Sequence, residues 1–457
     1  MQAITDFNNV FYPSDVNGCG SWRGTFPINT IWSMGPDTKI NISVMQSITA
    51  DPRFYRPMNS VMVQRLVDDA QLKFFTELIK GCSEAFGFWV IYNIDDAMHY
   101  NDIVKFNKGR PAFVGEKVQE NIKKMLNDSD FVLVTTDYIK NYYHERYDVP
   151  LENIVAIPNY LPRWWIGSLY DKDKSCDRFR RMKNKPRVGI VSSLSHYNLD
   201  GIMEDETGSV VSVRIDPKTN SPMRNENGKP VLVNERGEPA NPERCHRVED
   251  DLDLILSAIE RTIDEVQWVI FGYEPPQLKK YVDQGKIECH RGVPIIDYPK
   301  ELAALNLNLI VAPVQDCVFN RCKSNIKYLE AAALGIPLFA SNLPTYSNYM
   351  PKTQLFNNAD DLYEMIMKFK NSSIGIYGKM VEAQWRFINS PHKECGIKSP
   401  NWWMEDNIDT WIKLFSMRKK PSVISFNRAV ELFIMNTKGD EEHPYFEDKE
   451  NELMLVV

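Results

Sequence analysis

Short apolar runs alternate with amphipathic stretches along both halves of the chain. Residues 9–12 read as a strand ending in a glycine-rich loop, Asn17-Gly18-Cys19-Gly20. Residues 61–64 are a second short apolar run, and 69–82 carry apolar positions at helical spacing. A strand-like 88–93, a helical 117–126, a strand-like 131–135 and a helical 136–143 follow. Past residue 187 the alternation resumes, with a strand at 187–191, a helix at 252–263 and strands at 267–271 and 307–312. A helix from Ser324 and a strand at 337–340 complete it. Strands separated by helices predict parallel sheets covered on both faces, an α/β protein.

Two stretches break the pattern. Residues 163–186 lose periodicity and hold Lys172, Lys174, Arg178, Arg180, Arg181, Lys183 and Lys185. They read as a solvated charged connector, with a basic lip facing an anionic acceptor as the sharper alternative. Residues 199–250 are rich in Asn, Gly, Pro and Glu, with β-like runs at 209–215 and 230–234 and the turn dipeptide Asn227-Gly228. This is the pattern of an inserted β-hairpin excursion. The organisation expected is an N-terminal domain over 1–165, a basic linker over 166–186, and a C-terminal domain over 187–395. Residues 396–457 would then carry a returning helix near Trp402, Trp403 and 405–415, with an acidic tail at 440–452.

Composition narrows the function classes. The 457 residues exceed one ordinary domain and suit two. A net charge of −7 argues against a protein that coats nucleic acid, while leaving room for a local basic patch. The eight cysteines include no Cys-x-x-Cys pair and are too sparse for a disulfide scaffold, so reduced thiols are expected. The first residues show no secretory signal, and no run of eighteen apolar residues occurs. A cytoplasmic protein is expected, meeting its substrates there or at a membrane surface.

The densest chemistry lies in Asn320-Arg321-Cys322-Lys323-Ser324-Asn325-Ile326-Lys327-Tyr328-Leu329-Glu330 and the Ala331-Ala332-Ala333-Leu334-Gly335-Ile336-Pro337 that follows. Ser324 suits an N-cap, and Gly335 and Pro337 stop a helix. Ile326, Leu329 and Ala333 make an apolar stripe, while Lys323, Lys327 and Glu330 share another face. The carboxyl end of a parallel strand is where open α/β sheets bind ligands. A helix N-terminus and two lysines there would hold a diphosphate, and a carboxylate would accept both hydroxyls of a ribose. The alternative is an exposed Lys–Glu pair. Asp95-Asp96 end a strand, placed either to cap a helix or to position an acceptor hydroxyl and take its proton.

The run 323–337 resembles the donor-site signature of retaining GT-B glycosyltransferases. In that signature a glutamate within a Glu-Ala-x-Ala-x-Gly-x-Pro-like helix binds the nucleotide ribose, and Glu330 matches it. Residues 187–196 resemble the family's opening strand and loop. The usual Ser-x-Ser-His-x-x-Asp-Leu continuation is split by the insertion and resumes near Asp251-Leu252. Gly18-Cys19-Gly20-Ser21-Trp22-Arg23, Tyr92-Asn93-Ile94-Asp95-Asp96 and Ile157-Pro158-Asn159-Tyr160 resemble N-domain motifs of glycosyltransferases encoded by many tailed phages. One departure stands out. Many members place a second glutamate, contacting the donor sugar, where this chain has Cys322, so no particular sugar is inferred.

The resemblance implies two Rossmann-like domains facing a cleft, with acceptor on the N-terminal domain and donor on the C-terminal one. It implies transfer with retention, no bound cofactor, no metal, and a UDP-sugar as co-substrate. Donor contacts would come from Glu330, Lys327, Lys323, Ser324, Asn325, Cys322 and Ser193, with Gly18, Gly20 and Arg23 from the N-terminal side. Asp95 and Asp96 would act on the acceptor, and His196 would stabilise the departing phosphate. The leading acceptor is 5-hydroxymethylcytosine in phage DNA, presented as a flipped base in the host cytoplasm. Duplex DNA would then rest on Arg178, Arg180 and Arg181. A polysaccharide or lipid-linked sugar is the alternative acceptor, and a non-catalytic nucleotide-sugar-binding protein is the alternative of another class.

Overall fold

The apolar runs of the first half become strands of one sheet. Phe7–Tyr12, Ile40–Val44, Ser60–Gln64, Trp89–Asn93, Phe131–Val134 and Ile154–Ala156 all pair in parallel. Ile40–Val44 forms one edge, Phe7–Tyr12 lies beside it, and the other four follow in chain order. Val61, Met62 and Val63 are all fully buried. Helices on both faces leave such a strand no polar side, which is why the run shows no alternation.

In this computed structural model, which describes residues 7–421 apart from 168, 217–220, 225–230 and 236, the second half repeats the plan. Its sheet runs, edge to edge, Ile287–Arg291, Gln267–Gly272, Arg187–Ser192, Leu309–Ala312, Leu338–Ser341 and Leu355–Phe356, again all parallel. Each half is a doubly wound, Rossmann-like domain. The strand order reverses between Phe7–Tyr12 and Ser60–Gln64 in one sheet, and between Arg187–Ser192 and Leu309–Ala312 in the other. Loops diverge at such points and open a crevice at the carboxyl ends of the strands. The two crevices face each other and merge into one cleft.

The stretch read as a basic linker contains a helix, Lys172–Arg181. Asp171 caps it by accepting from Lys174 N at 2.9 Å, and Phe179 stacks on Tyr377 with centroids 4.3 Å apart. Only Ser175 and Phe179 are buried, a stripe too narrow to show through the surrounding charge.

The insertion is a small antiparallel sheet in the order Leu232–Asn234, Val210–Val213, Met203–Glu204 and His246–Arg247. It reaches across to the N-terminal domain through the ion pairs Lys105–Glu204 and Arg110–Glu235. Asn227-Gly228 and the acidic tail at 440–452 lie outside the described residues. Met404–Asn407 and Asp409–Phe415 return to the N-terminal domain, where Phe415 O accepts from Asn9 Nδ2 at 3.0 Å.

Candidate active site

The cleft holds a cavity of about 790 Å³. One wall is the helix Ile326–Ala333, whose first amides have no acceptor within the helix. Its N-cap is Asn325, one residue beyond the expected Ser324, because the short helix Val318–Arg321 occupies the turn ahead of it. Leu329 and Ala333 are buried against the sheet, while Lys323, Ser324, Lys327 and Glu330 face the cavity. Gly335, at φ +64°, ends the helix in the left-handed conformation that glycine adopts without penalty.

Glu330 is only 6% exposed, and its Oε2 accepts from Tyr298 Oη at 3.0 Å. Burial pushes its carboxyl up to about 7, with Lys327 and the tyrosine bond pulling weakly the other way. Lys327 donates to Val191 O at 2.5 Å, and burial lowers its ammonium below the usual lysine value. Lys323 stands 3.7 Å from Asp96. A carboxyl and two ammonium groups thus line a cavity without forming the surface pair that would have made them inert.

Across the cleft, Asp95 and Asp96 follow strand Trp89–Asn93 and face the cavity. No helix follows them directly, so they cap nothing. Arg65, itself in a left-handed conformation at φ +51°, bridges them at 2.6 and 2.5 Å. Burial pushes Asp96 up, but Lys323 and Arg65 outweigh it and hold the carboxyl below its ordinary value. Cys19 joins these two acids within 4.8 Å, a spacing open to a cation, yet the guanidinium already occupies both carboxylates.

His196 follows strand Arg187–Ser192 and lines the cavity, its Nδ1 lying 2.6 Å from Asp251 Oδ2. Burial lowers the imidazole, only partly offset by Asp251. Ser193 and Gly18 also line the cavity.

Seven sequence candidates stand elsewhere. Arg23 is fully buried beneath the strand ends, donating to Ile157 O at 2.7 Å, Val134 O at 2.9 Å and Asn159 Oδ1 at 3.1 Å. It neutralises no phosphate. It steadies Asn159, whose Nδ2 donates to Ser324 Oγ at 3.0 Å across the cleft. Arg23→Ala strands those acceptors and should cost about 3 kcal/mol or more of stability, read by denaturant unfolding. Gly20 belongs to a helical turn, where a Cβ would meet Asp15 O at 1.8 Å, so its smallness serves the backbone rather than a ligand.

Cys322 is fully buried and packs with Phe319 in the apolar core of the N-terminal domain. Arg178, Arg180 and Arg181 lie on Lys172–Arg181, against the opposite ends of the strands. Ser175 of that helix touches Gly335, which precedes strand Leu338–Ser341 at its amino end. Arg180 is spent on Asp177. Asn325 is buried as the N-cap and does not line the cavity.

Several lining residues escaped the sequence reading. Tyr298 stacks between Trp165 and Phe271, with centroids at 6.0 and 5.7 Å and planes within 9°. Together with Val293, Pro294 and Ile295 it forms the apolar end of the cavity beside Glu330. Asp251 and Asn320 sit under the polar end. Among the described residues, no helix is long and apolar enough to cross a membrane.

No protein-family profile and no curated protein matches the chain. Solved structures do match. A glycosyltransferase from Rickettsia africae ESF-5 has a TM-score of 0.52 at 11% identity, over 90% of this chain and 97% of that one. Sucrose-phosphate synthase from Thermosynechococcus elongatus has 0.50 at 12% identity, over 89% and 98%. Anabaena HepE in complex with UDP-glucose has 0.47 at 8%, over 95% and 100%. At such identities the likeness establishes a fold: the chain has the GT-B architecture of two Rossmann-like domains facing a cleft.

Proposed function

We propose that the chain is a glycosyltransferase that binds a nucleoside diphosphate sugar on its C-terminal domain and passes the sugar to a hydroxyl group. The observation that carries this is Glu330, a carboxyl buried at a cost on a cavity wall, beside two lysines and the open end of a helix. Its one hydrogen bond among the described residues leaves a carboxyl oxygen for ligand. In this reading the ribose sits on Glu330, the diphosphate lies between Lys323, Lys327 and the helix amides, and the base lies along Phe271, Ile295 and Tyr298. Shared GT-B architecture with a glycosyltransferase supports it. The lysines supply the charge a departing diphosphate needs, so no step requires a metal. Retention of configuration is carried from the family resemblance, and the anomer of the product checks it.

The acceptor is a hydroxyl compound facing Asp95 and Asp96. The arginines proposed to hold duplex DNA lie away from the cleft, so the basic-lip support for 5-hydroxymethylcytosine is gone, and saccharide or lipid-linked acceptors stand level with it. Incubation with a panel of nucleotide sugars, UDP-sugars first, tests the reading. Slow release of free sugar is expected without acceptor. Mass spectrometry of hydroxymethylated DNA and of saccharide acceptors then locates the product. Tight binding with no turnover under any condition would instead mark a non-catalytic binder.

Donor binding should also depend on pH. Glu330 is raised to about 7, so its neutral form dominates in the free protein below that value. The free protein's stability is therefore favoured by low pH and falls as pH rises through about 7. Affinity for a nucleotide sugar should move oppositely, because the ionised carboxylate is the better acceptor for ribose hydroxyls. Between pH 8 and pH 6 it should drop about tenfold by calorimetry. Tyr298 faces the same carboxyl and burial keeps its hydroxyl protonated throughout, while burial lowers the neighbouring Lys327 ammonium below its usual value.

A further inference from the structure

His196 and Asp251 are separated by the whole insertion, yet they meet as a buried pair. The fold arranges this by pinching the root of the insertion. Asn198 N donates to Asp250 Oδ2 at 2.8 Å, and Asn198 Nδ2 reaches Val248 O and Ile202 O at 2.9 Å each. The pair therefore keeps its geometry whatever the inserted sheet does.

Asp251 is almost fully buried, and three groups approach it, one from the segment after strand Arg187–Ser192 and two from the segment after Leu309–Ala312. Its Oδ1 accepts from Gln315 N at 2.7 Å and from Asn320 Nδ2 at 3.0 Å. Its Oδ2 faces His196 Nδ1 at 2.6 Å. A carboxylate can only accept, so Nδ1 carries the proton. Burial, with Lys323 and Lys327 close by, keeps the ring from taking a second one. The remaining nitrogen, Nε2, therefore offers a lone pair to the cavity. A lone pair repels phosphate oxygen. It welcomes a hydroxyl.

We infer that His196 is a hydrogen-bond acceptor for a hydroxyl of the transferred sugar, and that Asp251 is the positioning residue that holds it in that state. This rests on the glycosyltransferase reading and replaces the phosphate role expected for His196. It assigns the polar end of the cavity, between His196 and Asp96, to a hydroxyl-bearing sugar. Both residues line that cavity.

Nitrogen NMR of the imidazole in the wild-type protein should show the proton on Nδ1; a proton on Nε2 would overturn the inference. Binding is then compared between the tightest nucleotide sugar of the panel and the matching nucleoside diphosphate. His196→Phe should weaken the nucleotide sugar tenfold or more and leave the diphosphate within twofold. Asp251→Asn gives a second reading. Two donors already claim Oδ1, so the new amide NH₂ faces Nδ1 and drives the ring proton to Nε2. The same selective loss should follow, together with the NMR change. Equal losses for both ligands would return His196 to the phosphate, and no loss would make the pair structural. Each result defeats the inference while leaving the donor site standing. Wild-type protein that binds neither ligand would instead overturn the glycosyltransferase reading itself.

Discussion

Glu330→Gln should weaken nucleotide-sugar binding about a hundredfold while the free protein melts no lower than wild type. Both halves follow from one carboxyl. Hydrogen bonds to a charged group contribute about 1.5–3 kcal/mol each, so losing the charge opposite two ribose hydroxyls removes about 3 kcal/mol of binding. In the empty site that charge is a burden, since burial raises the carboxyl to about 7 even against the pull of Lys327 and Tyr298. The amide keeps the size and can still accept from Tyr298. Calorimetry and thermal unfolding on the same preparation decide it. A variant that loses stability but keeps its affinity would show that Glu330 belongs to the core, not to a ligand.

Lys327→Met should lower turnover by about a hundredfold to a thousandfold, the usual cost of removing one donor aimed at developing negative charge. Methionine fills the same channel without the ammonium, so the effect reads charge and not packing. The variant should fold normally, because Val191 O is, among the described residues, the one protein acceptor that Lys327 contacts. Single-turnover kinetics should show the loss in the chemical step. Unchanged turnover would place the diphosphate elsewhere.

The donor helix was legible because its two faces differ chemically: Leu329 and Ala333 pack on the sheet, while Lys323, Lys327 and Glu330 turn to the cavity. The interior strands were legible as continuous apolar runs. Ile40–Val44, Ile154–Ala156, Ile287–Arg291 and Leu355–Phe356 were not read as strands, and all four are sheet edges. An edge strand is short or half-exposed, and its apolar signal weakens accordingly. Arg23 looked like a phosphate clamp because a lone arginine beside glycines carries no hint of the four oxygens waiting for it in tertiary structure. Cys322 matched a cavity position by register alone. The short helix Val318–Arg321 carries it, with Phe319, into the N-terminal core instead. The resemblance set His196 and Asp251 in one motif split by the insertion, but a motif carries no sign that the two side chains pair in tertiary structure.

A crystal structure with UDP bound tests the central claim most directly. The account predicts ribose hydroxyls on the Glu330 carboxylate and the diphosphate against the first turn of Ile326–Ala333, within reach of Lys323 and Lys327. Nucleotide lodged elsewhere, with the Glu330 carboxyl still bonded only to Tyr298, would contradict it.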